Sequence, residues 1–419
     1  MNTKEKLNYR RTLLLGFGFL ASSLAWSLYN ALVPPMLESR FLLSTGTIGV
    51  IMTIDNIFGV VFQPLVGSLS DRTRSRYGKR MPWIILALPC SALFFYLIPG
   101  ANTLVKMMTM IIAFNFFMSL WRSPVIALMP DLTPPALRSK ANGLINLMGG
   151  IGAIIAFFIG GRLALHDSSN RLSFLMGSIT MLLSLLMLML FVKEPSSLEL
   201  KREVKSKSKN KISLSRSELN SLVKILAAIF FWFAAYNAIE TFFTLYAVNK
   251  LGVASGTATM MLTAFSLSFV VFAFPAALVA GKLGRKKTIL AGLVILLVCF
   301  LPILFLEEVK LILILLLIGG VGWAFININS LPMVVELASK DKLGEFTGFY
   351  YFASFSASIV SPILFGWIRD LSKDYSSLFV YALIAFFIAL LLMLGVKHGE
   401  ANPELSRGDV LTALDDAEI

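Results

Sequence analysis

Three ionisable side chains stand inside long apolar stretches of this 419-residue chain: Asp55, Arg122 and Glu240. At the centre of a bilayer each would cost about 2.5–3.5 kcal/mol, so such groups face a cavity or pair with one another. Burial raises the proton affinity of a carboxylate, and a neighbouring guanidinium lowers it again. Asp55 and Glu240, with Arg122, thus have the makings of a proton switch. When the guanidinium leaves, the acid takes a proton, and substrate hydroxyls take over as partners of Arg122. A fixed ion pair that only holds helices together is the other reading. Counting about 1.5 Å per helical residue, Asp55 and Arg122 differ in depth by only about 6 Å, which an Arg side chain bridges. Glu240 lies nearer the outside.

A second set is aromatic and amide-bearing: Trp26, Tyr29, Asn30, Asn146, Tyr236, Asn237, Trp323, Asn327 and Tyr350. Rings stack on the C–H-rich faces of sugars, while amides and Arg122 bond their hydroxyls. The same set suits an amphipathic drug, and any single ring is more often core than ligand-binding. Enzyme chemistry has no foothold. The chain has no G-x-x-x-x-G-K-[ST], H-E-x-x-H or G-x-S-x-G. Its two histidines cannot build a His-rich metal site, and Cys90 and Cys299 lie too far apart in sequence to imply a disulfide framework. No cofactor or metal is expected.

The elements that must carry these residues are membrane spans. At 57% hydrophobic residues and a mean hydropathy of +0.79, the chain is not an ordinary soluble protein. A span needs about 20 apolar residues. The pattern predicts spans at 12–34, 47–67, 82–100, 104–130, 141–164, 172–192, 221–246, 257–281, 288–306, 310–334, 346–368 and 377–396. The expected class is an all-α membrane protein of twelve helices in two pseudo-symmetric six-helix bundles, 1–192 and 221–396. A basic, Ser/Lys-rich linker over 193–220 joins them, and an acidic tail covers 397–419. The net charge of +13 concentrates in loops on one side, which favours a cell-membrane protein with both termini cytoplasmic over a nucleic-acid partner. The run from Thr12 continues past Trp26, so it reads as a first span and not a signal peptide.

The halves repeat weakly. Tyr29-Asn30-Ala31 returns as Tyr236-Asn237-Ala238, Gly46-Thr47 and Thr53 as Gly256-Thr257 and Thr263, and Asp131-Leu132 as Glu336-Leu337. Transporter folds are often built from such repeats. Every third segment is nearly free of polar groups, whereas the others carry polar stripes.

The stretch from Gln63 to Trp83, QPLVGSLSDRTRSRYGKRMPW, packs Arg72, Arg74, Arg76, Lys79 and Arg80 between two spans. Its Gly67-x-x-x-Asp71-Arg72 followed by Gly78-Lys79-Arg80 resembles the loop between helices 2 and 3 of major facilitator superfamily transporters. The longer form, through Pro82-Trp83, is similar to glycoside/pentoside/hexuronide–cation symporters and sucrose–proton symporters. The resemblance implies a secondary transporter working by alternating access, and a monomer is expected. It places the third helix of each repeat outside a central cavity and gives Gly67, Asp71, Arg72, Gly78 and Arg80 a gating role. Sodium-using members carry an acid directly before the proline that precedes the loop; here that residue is Gln63, which points to protons. Drug–proton antiporters tend to carry Gly-Pro in the fifth span, and GLINLMGGIGAIIAFFIGG has no proline. Import of a sugar or glycoside with a proton is therefore expected. Efflux of an amphipathic compound and a sensor without turnover are the alternatives.

Overall fold

The computed structural model describes residues 7–134, 137–196, 215–338 and 342–400. Among them, twelve helices are long and apolar enough to cross a membrane; most of the expected linker and of the expected acidic tail lies outside the described residues. In lipid each backbone polar group must be satisfied within its own segment, which is why helices form the spans. In order they are α1 (Tyr9–Phe41), α2 (Thr45–Met52), α3 (Ile54–Arg72), α4 (Met81–Leu97), α5 (Leu104–Leu132), α6 (Arg138–Ile155), α7 (Gly161–His166), α8 (Arg171–Phe191), α9 (Arg216–Leu251), α10 (Ser255–Leu283), α11 (Arg285–Ile303), α12 (Val309–Val335), α13 (Leu343–Ser372) and α14 (Ser377–Leu394).

Polar side chains start several of these helices. Asn8 accepts the Arg11 N–H at 2.9 Å, and Ser44 accepts that of Thr47 at 3.2 Å. Ser215 and Glu218 exchange reciprocal bonds of 3.2 and 2.8 Å at the head of α9, a capping box.

Two expected spans are not uniform. The second breaks at Thr53, between α2 and α3, where the Thr53 N–H and hydroxyl both turn back to the Val50 carbonyl. The fifth passes through a π-helical turn at Ala156–Gly160 before α7. A hydroxyl that bonds its own helix backbone competes with the regular ladder, and this local effect leaves no trace in the hydropathy pattern.

The chain packs as two compact units. One comprises Met1–Val204, Glu240–Ser266 and Pro362–Tyr375; the other comprises Lys205–Ile239, Leu267–Ser361 and Ser376–Ile419, each as to its described residues. In the first, the ends of α9, α10 and α13 remote from the basic loops join α1–α8. Glycines permit that approach: a Cβ on Gly161 would meet the Gly256 carbonyl oxygen at 2.8 Å, and one on Gly366 would meet that of Thr45 at 2.5 Å. The polar-poor helices show rows of exposed apolar residues. On α8, Leu172, Leu175, Ile179, Leu182, Leu186 and Leu190 form one such face, at the spacing of a lipid-facing helical stripe.

Candidate functional site

Two groups of predicted residues come together, one in each unit. In the first unit, Asp55 opens α3 and is 4% exposed. One of its oxygens accepts the indole N–H of Trp26 from α1. The other accepts the backbone and side-chain N–H groups of Asn56 at 2.7 and 2.9 Å. The Arg122 guanidinium, from α5, lies 3.9 Å from the centroid of the Trp26 ring. One indole thus touches a carboxylate through its edge and a cation through its face, the two contacts its charge distribution favours.

In the second unit the centre is aromatic. Tyr236 of α9 stacks on Trp323 of α12 with centroids 4.3 Å apart and planes 4° from parallel. Phe233 meets Trp323 edge-on at 5.5 Å and Tyr350 of α13 at 6.2 Å. The Tyr350 and Ser330 hydroxyls lie 3.2 Å apart. Asn237 donates its amide to the Phe233 carbonyl at 2.6 Å, and Asn327 is half-buried on α12.

The other predicted residues differ in burial. Tyr29 is fully buried, its ring 5.8 Å from that of Phe114. It packs in the interior of the first unit, near Asp55. Asn30 and Glu240 are half-buried, on α1 and α9, and Asn146 is exposed on α6.

The basic loop forms a network around Arg80, which is 4% exposed. Its Nε donates to Asp131 at 2.9 Å, its terminal nitrogens reach Asp71 and the Ser70 hydroxyl, and one donates to the Gly67 carbonyl at 3.2 Å. Lys79 pairs with Asp131 at 3.2 Å. Glu194 accepts the N–H groups of Lys79, Arg80 and Met81 at 2.9–3.0 Å. A carboxylate there completes the start of α4 and meets its dipole favourably. Gly78 has φ +93°, and a Cβ on it would fall 2.3 Å from the Glu194 carboxyl carbon. Arg72 is exposed.

At the end remote from the basic loops lies a cluster that spacing alone did not announce. Asp370 of α13 accepts the N–H groups of Thr45 and Gly46 at 2.9 and 2.8 Å. Glu38 accepts from the Tyr375 hydroxyl and, at 2.9 Å, from Asn249. Arg369 stacks over Tyr375 at 4.1 Å. Burial first, and then Glu38, push the Tyr375 hydroxyl above its usual range, so it remains a donor. A cavity of about 220 Å³ opens here between Asn249, Lys250, Arg369, Lys373, Asp374 and Tyr375.

The model of the Major Facilitator Superfamily matches residues 15–256 and 246–414. The chain belongs to this superfamily. It is 26% identical over 366 residues to the tetracycline resistance protein, class H, of Pasteurella multocida, covering 84% of this chain and 86% of that one. It is 25% identical over 399 residues to a hexuronate transporter of Bacillus subtilis, covering 87% and 90%. Among solved structures, the bacterial homolog of the human lysosomal transporter Spinster, in its inward-facing and occupied conformation, superposes with a TM-score of 0.74 at 13% identity, over 93% of this chain and 97% of that one.

In this major facilitator, the groups that residue types alone did not announce are Phe233, Ser330, Asn56, Glu194 and Asp370. Phe233 was the most accessible to sequence reasoning. It lies one turn before Tyr236 and so shares its face. Glu194 follows the sixth span directly, yet nothing local says that its carboxylate turns back onto α4.

Proposed function

We propose that this major facilitator is a secondary transporter that imports a sugar or glycoside with a proton across the cell membrane. In this reading the basic loops and both termini are cytoplasmic, and the protein acts as a monomer. The observation that carries it is Asp55 and Arg122 meeting on one indole within a membrane bundle. Protonation of Asp55 removes the charge that Trp26 and Asn56 bond and frees the Arg122 face for substrate hydroxyls. The rings of Phe233, Tyr236, Trp323 and Tyr350 supply the apolar face a sugar ring stacks on. The relative named for hexuronate transport supports this substrate class.

A second reading is efflux of an amphipathic aromatic compound in exchange for protons. The match to a tetracycline resistance protein over most of both chains favours it, and the same rings would stack on such a compound. Purified protein in proteoliposomes with an imposed pH gradient separates the two. Labelled hexuronates, pentosides and disaccharides should accumulate on the alkaline side if the first reading holds. Accumulation of tetracycline on the acidic side, with no sugar movement, would establish the second.

A further inference from the structure

The second span is a lever with both ends engaged. Its first piece, α2, is eight residues long, or about 12 Å. Its leading N–H groups, on Thr45 and Gly46, are held by the two oxygens of Asp370 at 2.9 and 2.8 Å. Its flank is pressed directly against α13. A Cβ on Gly49 would fall 2.2 Å from the Pro362 carbonyl oxygen, and one on Gly46 would fall 2.6 Å from the Trp367 ring. Its other end is the break at Thr53, and two residues later Asp55 makes its bonds to Trp26 and Asn56.

A helix this short, without side-chain freedom at its contact with α13, moves as one body. Any separation of the far end of α13 from α1 and α2 must pull on Thr45 or break the Asp370 clasp. Because the ladder is already interrupted at Thr53, that motion turns the start of α3, where Asp55 sits. We propose that Asp370 is a positioning residue for the Asp55 centre, acting through α2, so that closure of this end and proton occupancy of Asp55 are one equilibrium. The inference rests on Asp55 being the proton-binding group. The other charged and titratable groups facing the two acids are Arg122 and Tyr29 around Asp55, and Arg369, Glu38 and Tyr375 around Asp370.

The sign follows from the donors. In the closed arrangement both Asp55 oxygens accept N–H groups. A carboxyl proton displaces one of them, so acid favours opening. By linkage, anything that weakens the clasp makes opening occur at higher pH, and the effect is reciprocal.

The test is electron–electron distance measurement on full-length protein in lipid nanodiscs. Cys90→Ser and Cys299→Ala remove the native thiols, and spin labels go on Leu42→Cys and Leu371→Cys, both exposed near this end. The intact clasp should give a distance distribution that widens on acidification with a single midpoint. Asp370→Ala should move that midpoint alkaline by about 0.7 pH unit or more, the fivefold at the low end of typical couplings. Asp370→Asn, which keeps one acceptor, should fall between and guards against misfolding of the alanine variant. Asp55→Asn should flatten the pH dependence with the clasp intact. A distance that ignores pH in the parent protein overturns the proposal. So does an Asp370→Ala variant that opens further yet keeps the parent midpoint, since the clasp is then passive. If Asp55→Asn retains the parent pH dependence, the proton role of Asp55 itself has failed.

Discussion

The centres of the two halves share a repeat but not a chemistry. In the register that pairs Tyr29 with Tyr236, Trp26 falls opposite Phe233. In the register that pairs Thr53 with Thr263, Asp55 falls opposite Phe265, and in the one that pairs Asp131 with Glu336, Arg122 falls opposite Asn327. Each member of the charged cluster is thus met by an uncharged residue. The first half joins a carboxylate and a guanidinium through an indole, whereas the second stacks Tyr236 on Trp323 and braces both with Phe233 and Tyr350. The repeat is in the helices, while the indole-bridged Asp55 and Arg122 have no charged counterparts in the second half. On the reading proposed here, one half couples energy and the other grips the substrate's apolar face.

That division can be broken by variants that hit one centre and spare the other. The largest effect belongs to Asp55→Asn. Uphill uptake should fall at least about 100-fold while counterflow stays within about twofold, because only steps requiring proton exchange lose their barrier-lowering group. Loss of neither activity would place Asp55 in a structural pair. Trp323→Ala removes the partner of two ring pairs, each worth about 0.5–1.5 kcal/mol. The half-saturating concentration should rise about tenfold with the proton-to-substrate ratio unchanged, measured by initial uptake over a concentration series. A changed ratio would mean that the second centre also handles the proton. Tyr350→Phe deletes only the hydroxyl contact to Ser330, a bond worth about 1 kcal/mol, so affinity should weaken by about fivefold or less. Smallest is Asp71→Asn. It removes one of the acids around Arg80 while Asp131 remains, and about 0.5 kcal/mol for an exposed partner should shift the ratio of the two access states by about twofold in a thiol-accessibility assay. No shift would leave the loop a topology signal only.

The loops at the basic end repeat the lesson on a smaller scale. Gly284 has φ +91° like its counterpart Gly78, Glu400 caps the N–H groups of Arg285 and Lys286 at 2.9 and 2.8 Å, and Arg285 pairs with Glu336 at 2.8 Å. Glu400 thus does for the second half what Glu194 does for the first. The second loop lacks an Asp71 equivalent, and the Arg285 side chain is 25% exposed against 5% for Arg80.

Much of this was legible in the residues. Span number and placement followed from hydropathy, because each crossing needs about 20 apolar residues. The Asp131/Glu336 match showed a repeat, but not that each acid holds its loop arginine. The depth match of Asp55 and Arg122 anticipated their meeting, but not that Trp26 would join them, since helical spacing tells which face a residue occupies and not which helix it faces. Tyr29 was open for a related reason: a phenol serves equally as ligand contact and core, and residue type does not say that its ring packs against Phe114. Asp370 was invisible, because its partners, Thr45 and Gly46, offer backbone groups rather than a side-chain signature. The break at Thr53 was equally hidden, since a single hydroxyl turned onto its own helix leaves hydropathy unchanged.

The most direct test of the account is proton movement itself. Proteoliposomes loaded with a pH-sensitive dye are given an inward gradient of the transported sugar and no pH gradient. The account predicts that the lumen acidifies as sugar enters, and that Asp55→Asn carries sugar down its gradient without acidification. Acidification that persists in Asp55→Asn, or a lumen that turns alkaline in the native protein, would contradict it.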